Sequence, residues 1–285
     1  MKRAGLVVHE GREAAVHAAA EVEALLRSED VEVVRLQHAE DTVAGIELVI
    51  SIGGDGTFLR AAHVASVANC PVLGVKVGRM GFLTEAEPQD ADALIRRVLD
   101  GTARIEERLA VTAEPDDGGE SFAAQWALNE VMVEKHARHR LIRLAVWVDG
   151  AYVTTFSADG VIVATPTGST AYSFSARGPI VTPSVPALVL TPIAAHMVFD
   201  RSFVLDATQH VLLEVVGDES GLLSADGRES LELKVGSRVR IRASGRRARL
   251  VRRDDAPGFL TLVREKFGLP GLEEEPGANG VGGAR

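Results

Sequence analysis

The chain has 285 residues, 46% hydrophobic and 25% charged, with a net charge of −9. That length and apolar content suit two modest domains with real cores, and the acidic balance argues against general nucleic-acid binding. The single cysteine, Cys70, excludes an internal disulfide and a cysteine-rich zinc site and fits a reducing cytoplasm; no stretch approaches the roughly 18 continuous apolar residues of a membrane span.

Met1-Lys2-Arg3 is basic, but only Leu6-Val7-Val8 follows before His9-Glu10, which argues against a signal peptide. Residues 5–9 read as a first strand. Residues 11–27 read as a helix, with Ala15, Ala19, Val22 and Leu26 at helical spacing. Residues 31–36 and 47–52 read as strands, a helix runs to about residue 68, and residues 71–75 form a fourth strand. Gly78-Arg79-Met80-Gly81-Phe82 is a second glycine-bearing loop at a strand end. Residues 88–99 are a helix, stopped by Gly101. Strands alternating with helices imply a doubly wound parallel sheet.

Near Ile105 the pattern changes to period two. Residues 109–113 and 122–133 flank Asp116-Asp117-Gly118-Gly119, a hairpin signal. Residues 143–148 meet 152–156 across Asp149-Gly150, a second one. Later runs cover 187–190, 210–216 and 237–242. This second region is therefore β-rich and mostly antiparallel. Arg238, Arg240 and Arg242 alternate with Val239 and Ile241, and five more arginines follow by Arg253. In an acidic chain a solvated strand face is favoured over a nucleic-acid face, with a polyanion site as a third reading. Residues 257–267 read as a short helix, and the glycine- and glutamate-rich tail from Gly271 reads as disordered. The expected division is an α/β domain over 1–104, a β-rich domain over 105–252, a terminal segment over 253–270 and the tail over 271–285.

Three stretches carry chemistry. The first is Ser51-Ile52-Gly53-Gly54-Asp55-Gly56-Thr57, at a strand-to-helix turn. Three glycines let backbone approach a phosphate, and the free N–H groups of a helix start bind anionic oxygen. Asp55 is out of place there unless it holds a phosphate-bound metal or accepts a proton. The competing reading is a tight turn whose Asp caps the helix. The turn is neither a Rossmann fingerprint, since Leu59 stands where a glycine is needed, nor a Walker loop, since no Gly-Lys occurs.

The second stretch runs from Ala158-Asp159-Gly160 to Ser173 through Thr165-Pro166-Thr167-Gly168-Ser169-Thr170-Ala171-Tyr172. Small hydroxyl residues, a glycine and an aromatic ring suit a nucleoside. A capped strand-to-helix loop explains them equally well. The third is Asn129-Glu130, an amide and a carboxylate able to clasp the two hydroxyls of a ribose, or ordinary surface polarity. The eight histidines show no metal-ligand spacing; His196 is the one to watch.

In this order the glycine turn, Asn129-Glu130 and the Asp159–Ser173 stretch with Gly178-Pro179 resemble the NAD kinase family, from about residue 5 to residue 267. The resemblance implies an α/β domain and a sandwich-like β domain with the active site between them. The last ordered segment would return to the first domain. It also implies ATP or polyphosphate as donor, NAD as acceptor, a divalent metal, usually magnesium, and a homodimer or homotetramer. Asp55 matches the base for the adenosine ribose 2′-hydroxyl, and Gly54, Gly56 and Thr57 the donor-phosphate contacts. Asn129 and Glu130 match the ribose pair. Thr167, Thr170, Ala171 and Tyr172 match the adenine-binding stretch. Asp159 and Ser175 match positions toward the other half of the dinucleotide, and Phe82 matches the aromatic above the site. Two departures stand out. Arg177 occupies a position where the family has glycine, and suits a phosphate contact. Ala195-His196-Met197 replaces Pro-His-Ser. A lipid or sugar kinase sharing the glycine turn, or a non-catalytic dinucleotide sensor, are the alternatives.

Overall fold

Strands buried on both faces need unbroken apolar runs, and the first third of the chain supplies them. In the computed structural model, which describes residues 1–37, 42–78, 81–84, 86–116, 122–228 and 230–270, they form a parallel sheet. Its elements are β1 (Arg3–Val8), α1 (Glu13–Ser28), β2 (Glu32–Arg35), β3 (Leu48–Gly53), α2 (Asp55–Ala68), β4 (Val72–Lys76) and α3 (Pro88–Leu99). Asp117, Gly118 and Gly119 of the expected first hairpin, Arg79 and Met80 of the second glycine loop, and the tail 271–285 lie outside the described residues. Among the described residues no helix is long and apolar enough to cross a membrane.

Two elements from outside the α/β alternation complete this sheet. β5 (Arg104–Arg108) follows α3 directly. After it come β6 (Val111–Pro115), β7 (Gln125–Ala127), β8 (Glu130–Lys135), β9 (Ile142–Val148), β10 (Ala151–Ala158) and β11 (Gly160–Ala164). A single 3₁₀ turn (Gly168–Thr170) and α4 (Tyr172–Ser175) interrupt the strands. They resume with β12 (Ala187–Ile193), β13 (Phe203–Asp206), β14 (Val211–Val216), β15 (Gly221–Ala225), β16 (Leu231–Leu233), β17 (Arg238–Ala243) and β18 (Ala248–Arg252). The first sheet has the order β2-β1-β3-β4-β18-β5, so β18 returns from far along the chain to lie parallel to β4. β5 closes the edge antiparallel to β18.

The β region forms two six-stranded antiparallel sheets, β10-β9-β14-β17-β6-β7 and β13-β12-β11-β8-β15-β16. Side chains alternating along both sheets fill one core between them, including Val133, Leu144, Phe156, Val163, Leu190, Leu213 and Ile241. The Asp149-Gly150 hairpin forms as expected: both residues take positive φ, 49° and 81°, which an inward-twisting two-residue turn requires. The run 122–133 does not stay one strand. It breaks at Leu128-Asn129, where β7 leaves one sheet and β8 enters the other.

The α/β part is doubly wound. α1 and α3 bury Ala15, Val22, Leu26, Leu94 and Ile95 on one face of the sheet. α2 buries Phe58, Ala61, Ala62 and Ala65 on the other, in a core that also holds Trp126 and Leu128. That core ties the helix after the glycine turn to the point where β7 gives way to β8. These elements make up the unit Met1–Arg253. A second unit, from Asp254, contains α5 (Phe259–Phe267), which ends at Gly268 in the left-handed conformation, φ 61°.

Arg177 sits after α4 with φ 69°. Arg177 N–H donates to Phe174 O at 2.9 Å and Gly178 N–H to Ser173 O at 2.7 Å, the closure of a helix end that normally uses glycine. The side chain is exposed and the backbone is strained. Replacing Arg177 by glycine should stabilise the protein by about 0.5–1 kcal/mol, the left-handed penalty less the added flexibility of the unfolded chain. Urea unfolding of Arg177→Gly measures it.

Candidate functional site

In an open parallel sheet, ligands bind beyond the carboxyl ends of the strands where the winding reverses. Here β1 has β2 on one side and β3 on the other, so the reversal lies between β1 and β3. The turns leaving these strands carry His9–Arg12 and the glycine turn. His9 N–H donates to Ile52 O at 3.0 Å. A side-chain carbon on Gly53 would stand 2.6 Å from Thr57 Oγ1, so glycine lets the turn close. Nothing lies within 4 Å of where Gly54 or Gly56 would carry one, which leaves their backbone open to a ligand. Thr57 is buried in the first turn of α2.

The structure adds two residues that the sequence reading did not single out. Arg12 Nη1 donates to Val77 O at 2.9 Å and its guanidinium packs on Gly78. His9 Nδ1 is buried without a hydrogen-bond partner. Only the order of strands in the sheet reveals them, because it makes their turn the neighbour of the glycine turn.

Asp55 is not a helix cap. Gly54 holds the cap position, with no side-chain cap bond. Asp55 instead reaches across to the second glycine loop: Oδ2 accepts Phe82 N–H at 2.9 Å and Oδ1 accepts Leu83 N–H at 3.3 Å. Gly81 permits this approach, since a side-chain carbon there would overlap the Asp55 carboxylate. Phe82 thus enters the site through its backbone, holding the carboxylate at a fixed angle beside the open glycines.

Asn129 and Glu130 form a corner, with Asn129 in the bend after β7 and Glu130 opening β8. Asp226, in the turn between β15 and β16, accepts Leu128 N–H at 2.7 Å, Asn129 N–H at 2.8 Å and Glu130 N–H at 3.2 Å. Arg228 donates to Trp126 O and closes the other side. Asn129 Oδ1 and Glu130 Oε2 are buried with no partner, a costly state that a ligand's hydroxyls would relieve. Burial, with the nearby Asp226 charge, pushes the Glu130 carboxyl up to about 8. Burial also raises Asp226, against the pull of its three N–H donors. Asp226 is a second residue set that the sequence reading missed, separated from the corner by about a hundred positions.

Behind the corner, Thr165 N–H donates to Asn129 O at 2.8 Å and Thr165 Oγ1 to Leu128 O at 2.6 Å. Gly168 presses on the Asn129 backbone, where no side-chain carbon would fit. Arg108 of β5, buried beside Glu106 at 2.6 Å, reaches Thr167 Oγ1 at 3.4 Å. Some of the expected nucleoside hydroxyls are committed internally. Ser169 Oγ donates to Pro166 O at 2.7 Å and accepts Val181 N–H at 2.9 Å. Thr170 Oγ1 donates to Thr167 O at 3.3 Å. Ala171 is half-buried, while Tyr172 and Ser175 are exposed.

Asp159 lies at the other end of β11. Gly160 pairs with Glu134 and Ala164 with Glu130, so Asp159 stands about 14 Å or more from the corner at some 3.4 Å per residue. It pairs with Lys135 Nζ at 2.5 Å. Tyr172 belongs to this end: burial and the charges of Glu134 and Asp159 raise its hydroxyl above the ordinary phenol range. The Asn129-Glu130 corner therefore lies at one end of β11, and Asp159 with Tyr172 at the other. His196 is exposed and contributes only its backbone N–H, to Ser157 O.

Comparison with known proteins bears on this arrangement. Residues 27–103 match the ATP-NAD kinase N-terminal domain and residues 128–253 the ATP-NAD kinase C-terminal domain. The chain is 40% identical to NAD kinase 2 of Streptomyces avermitilis, covering 93% of this chain and 94% of that protein. It is 43% identical to an NAD kinase of Mycobacterium tuberculosis over 82% of this chain and 75% of that one. An NAD kinase from Archaeoglobus fulgidus, solved with ATP, superposes with a TM-score of 0.76 at 25% identity, covering 95% of this chain and all (100%) of that one. A yeast NADH kinase solved with NADH shares the fold, with a TM-score of 0.83 at 24% identity over 96% of this chain and 89% of that one.

The raised Glu130 carboxyl makes a pH prediction. Its folded value lies above the unfolded one, so ionisation opposes folding. That penalty is absent below about 4.5 and grows as pH rises toward about 8. Glu130→Gln removes it. The variant should gain several kcal/mol on wild type at pH 9 and nothing comparable at pH 4.5, read from urea unfolding of the ligand-free protein at both values.

Proposed function

The chain belongs to the NAD kinase family, whose members phosphorylate NAD, and we propose that it moves the terminal phosphoryl group of ATP to the 2′-hydroxyl of the adenosine ribose. What supports this reading above all is the Asn129-Glu130 corner: two buried, unpartnered oxygen acceptors held rigid by Asp226. The 3′-hydroxyl of the adenosine ribose supplies a matching donor and leaves the neighbouring 2′-hydroxyl to Asp55.

Each residue then has a task. Gly54, Gly56 and the first N–H groups of α2 receive the donor phosphates. Arg12, beside Gly78, adds a planar cation suited to phosphate oxygens. Asn129 and Glu130 hold the adenosine ribose. Thr167, Thr170 and Ala171 border the adenine, and Tyr172 lends its ring. Asp159 and Ser175 serve the nicotinamide half. Asp55, fixed by Phe82 and Leu83, takes the proton of the attacking hydroxyl. Orientation selects the 2′-hydroxyl, because the clasp occupies the 3′-hydroxyl.

A divalent ion, Mg²⁺ in this reading, would travel on the donor phosphates and neutralise their charge. Among the described residues no group of three or more His, Cys, Asp or Glu side chains could hold such an ion alone. A metal bound mainly by substrate phosphates and water needs no such cluster, and Asp55 is left to act as the base. Polyphosphate is a second donor in this reading. A homodimer or homotetramer has exposed apolar side chains available to it at Phe174 of α4 and Val204 of β13. The single buried Cys70 accords with a cytoplasmic setting.

Asp55→Asn should fold and bind NAD but lose on the order of 10²–10⁴-fold in turnover. Near-normal turnover removes Asp55 as the base. NAD lacking the adenosine 2′-hydroxyl should bind without reacting, and phosphorus NMR of the normal product should show a single 2′-phosphate. A 3′-phosphate, or turnover of the deoxy analogue, would overturn the assignment of the corner.

A further inference from the structure

The late arginines are unequally neutralised. Arg238 meets Asp116 at 3.4 Å and Glu214 at 3.5 Å, and Arg240 also pairs with Asp116. Arg242 grips Glu114 with two bonds of 3.0 and 3.1 Å. Arg252 reaches Glu106 at 3.0 Å and Arg253 reaches Asp90 at 2.8 Å. These five behave as the solvated, charge-matched faces that an acidic chain makes ordinary.

Arg246, Arg247 and Arg249, between and within β17 and β18, are different. Arg246 meets no carboxylate among the described residues. Arg247 approaches only the exposed Glu107, at 4.0 Å. Arg249 donates to the carbonyl of Asn69 and forms no ion pair among the described residues, although Glu107 stands opposite it in the ladder of β5 and β18. Together with Glu107, Asn69 and Cys70 they line a cavity of about 510 Å³. The cavity lies at the amino end of the parallel strands, because Arg249 precedes Leu250, which pairs with Val72 at the start of β4. Asp55 lies at their carboxyl end, with the 14 residues of α2 between. At 1.5 Å per residue that is about 20 Å, so this is not the site described above.

We propose that this cavity is a second ligand site, for a small anion carrying two or more phosphate groups. Three guanidiniums against one solvent-exposed carboxylate concentrate positive potential in a concave wall. Their planar forks pair phosphate oxygens two at a time. The volume falls within the roughly 300–1,000 Å³ of small-molecule sites and exceeds what a single phosphate fills. Asn69 and the last turn of α2 present carbonyls that repel an anion. Arg249 masks the Asn69 carbonyl, which leaves the Arg246 and Arg247 side as the binding wall. The buried Cys70 takes no part as an anion: burial pushes its thiol up to about 11.

Sodium tripolyphosphate is the probe, titrated calorimetrically into the wild-type protein and into Arg246→Glu/Arg247→Glu. The charge-reversed side chains are exposed and outside the kinase site, so NAD kinase activity should stay within about twofold, which also shows that the variant is folded. Because the glycine turn also receives polyphosphate in the kinase reading, the expected result is two binding events in wild type, one retained in the variant and the other weakened there by about tenfold or more and by added salt. Arg246→Ala should give an intermediate loss. Identical isotherms in wild type and charge-reversed protein would overturn the proposal, as would no binding to wild type. Displacement of tripolyphosphate by a lower concentration of single-stranded oligonucleotide would also overturn it, as the mark of a nucleic-acid surface. Because activity is read separately, a failure here leaves the kinase reading standing, and a failure of that reading leaves this one testable.

Discussion

A single buried carboxylate, Asp226, allows the chain to turn from one sheet of the sandwich into the other. Where β7 ends and β8 begins, the N–H groups of Leu128, Asn129 and Glu130 lose their strand partners, and Asp226 accepts all three. Left unmet in a buried corner, each would cost about 1–3 kcal/mol. The same bonds set the direction of the Asn129 and Glu130 side chains. Stability is surrendered in return. Two carboxyls sit close together out of water, and Glu130 is pushed up to about 8 as a result. The arrangement is disfavoured in the empty protein and relieved by a ligand that brings hydroxyl donors, which is how binding groups are held ready.

Helix α2 transmits that corner to the phosphate turn. Asp55 stands at its first residue, and Phe58, less than one turn on, shares a core with Trp126 and Leu128. His63 stacks on Trp126, whose Nε1 donates to Arg246 O at 3.0 Å. Asp55 and the Asn129-Glu130 corner are therefore positioned by one packed core, not by two separately packed halves. β18 reinforces this. It inserts between β4 and β5, so the α/β sheet is completed by residues that follow the sandwich in the chain.

Charge is distributed with the same economy. A chain of net charge −9 places most of its late arginines against carboxylates. Among the described residues it leaves Arg12 beside the glycine turn without a carboxylate partner, and the wall formed by Arg246, Arg247 and Arg249 with only Glu107. The exposed arginine at position 177 belongs to neither, and its backbone conformation explains why glycine is the better residue there.

Much was legible without coordinates. Apolar runs of four to six residues alternating with amphipathic helices specify a doubly wound sheet, because a strand covered on both faces can be built no other way. Period-two runs around Asp149-Gly150 specify antiparallel pairs for the same local reason. The glycine turn, Asn129-Glu130 and the Thr167–Tyr172 stretch were visible as motifs, since each depends on residues adjacent in sequence. What sequence could not decide is everything carried by distant residues. Whether Asp55 caps its helix or bonds the loop at Phe82 and Leu83 depends on Gly81 approaching from another turn. The break of the run 122–133 depends on Asp226, and the place of His9 and Arg12 beside the glycines depends on strand order. Local periodicity reports which face of an element is buried. Only tertiary structure reports what lies against that face, because hydrogen bonds across 27 to 98 positions leave no spacing in the sequence to read.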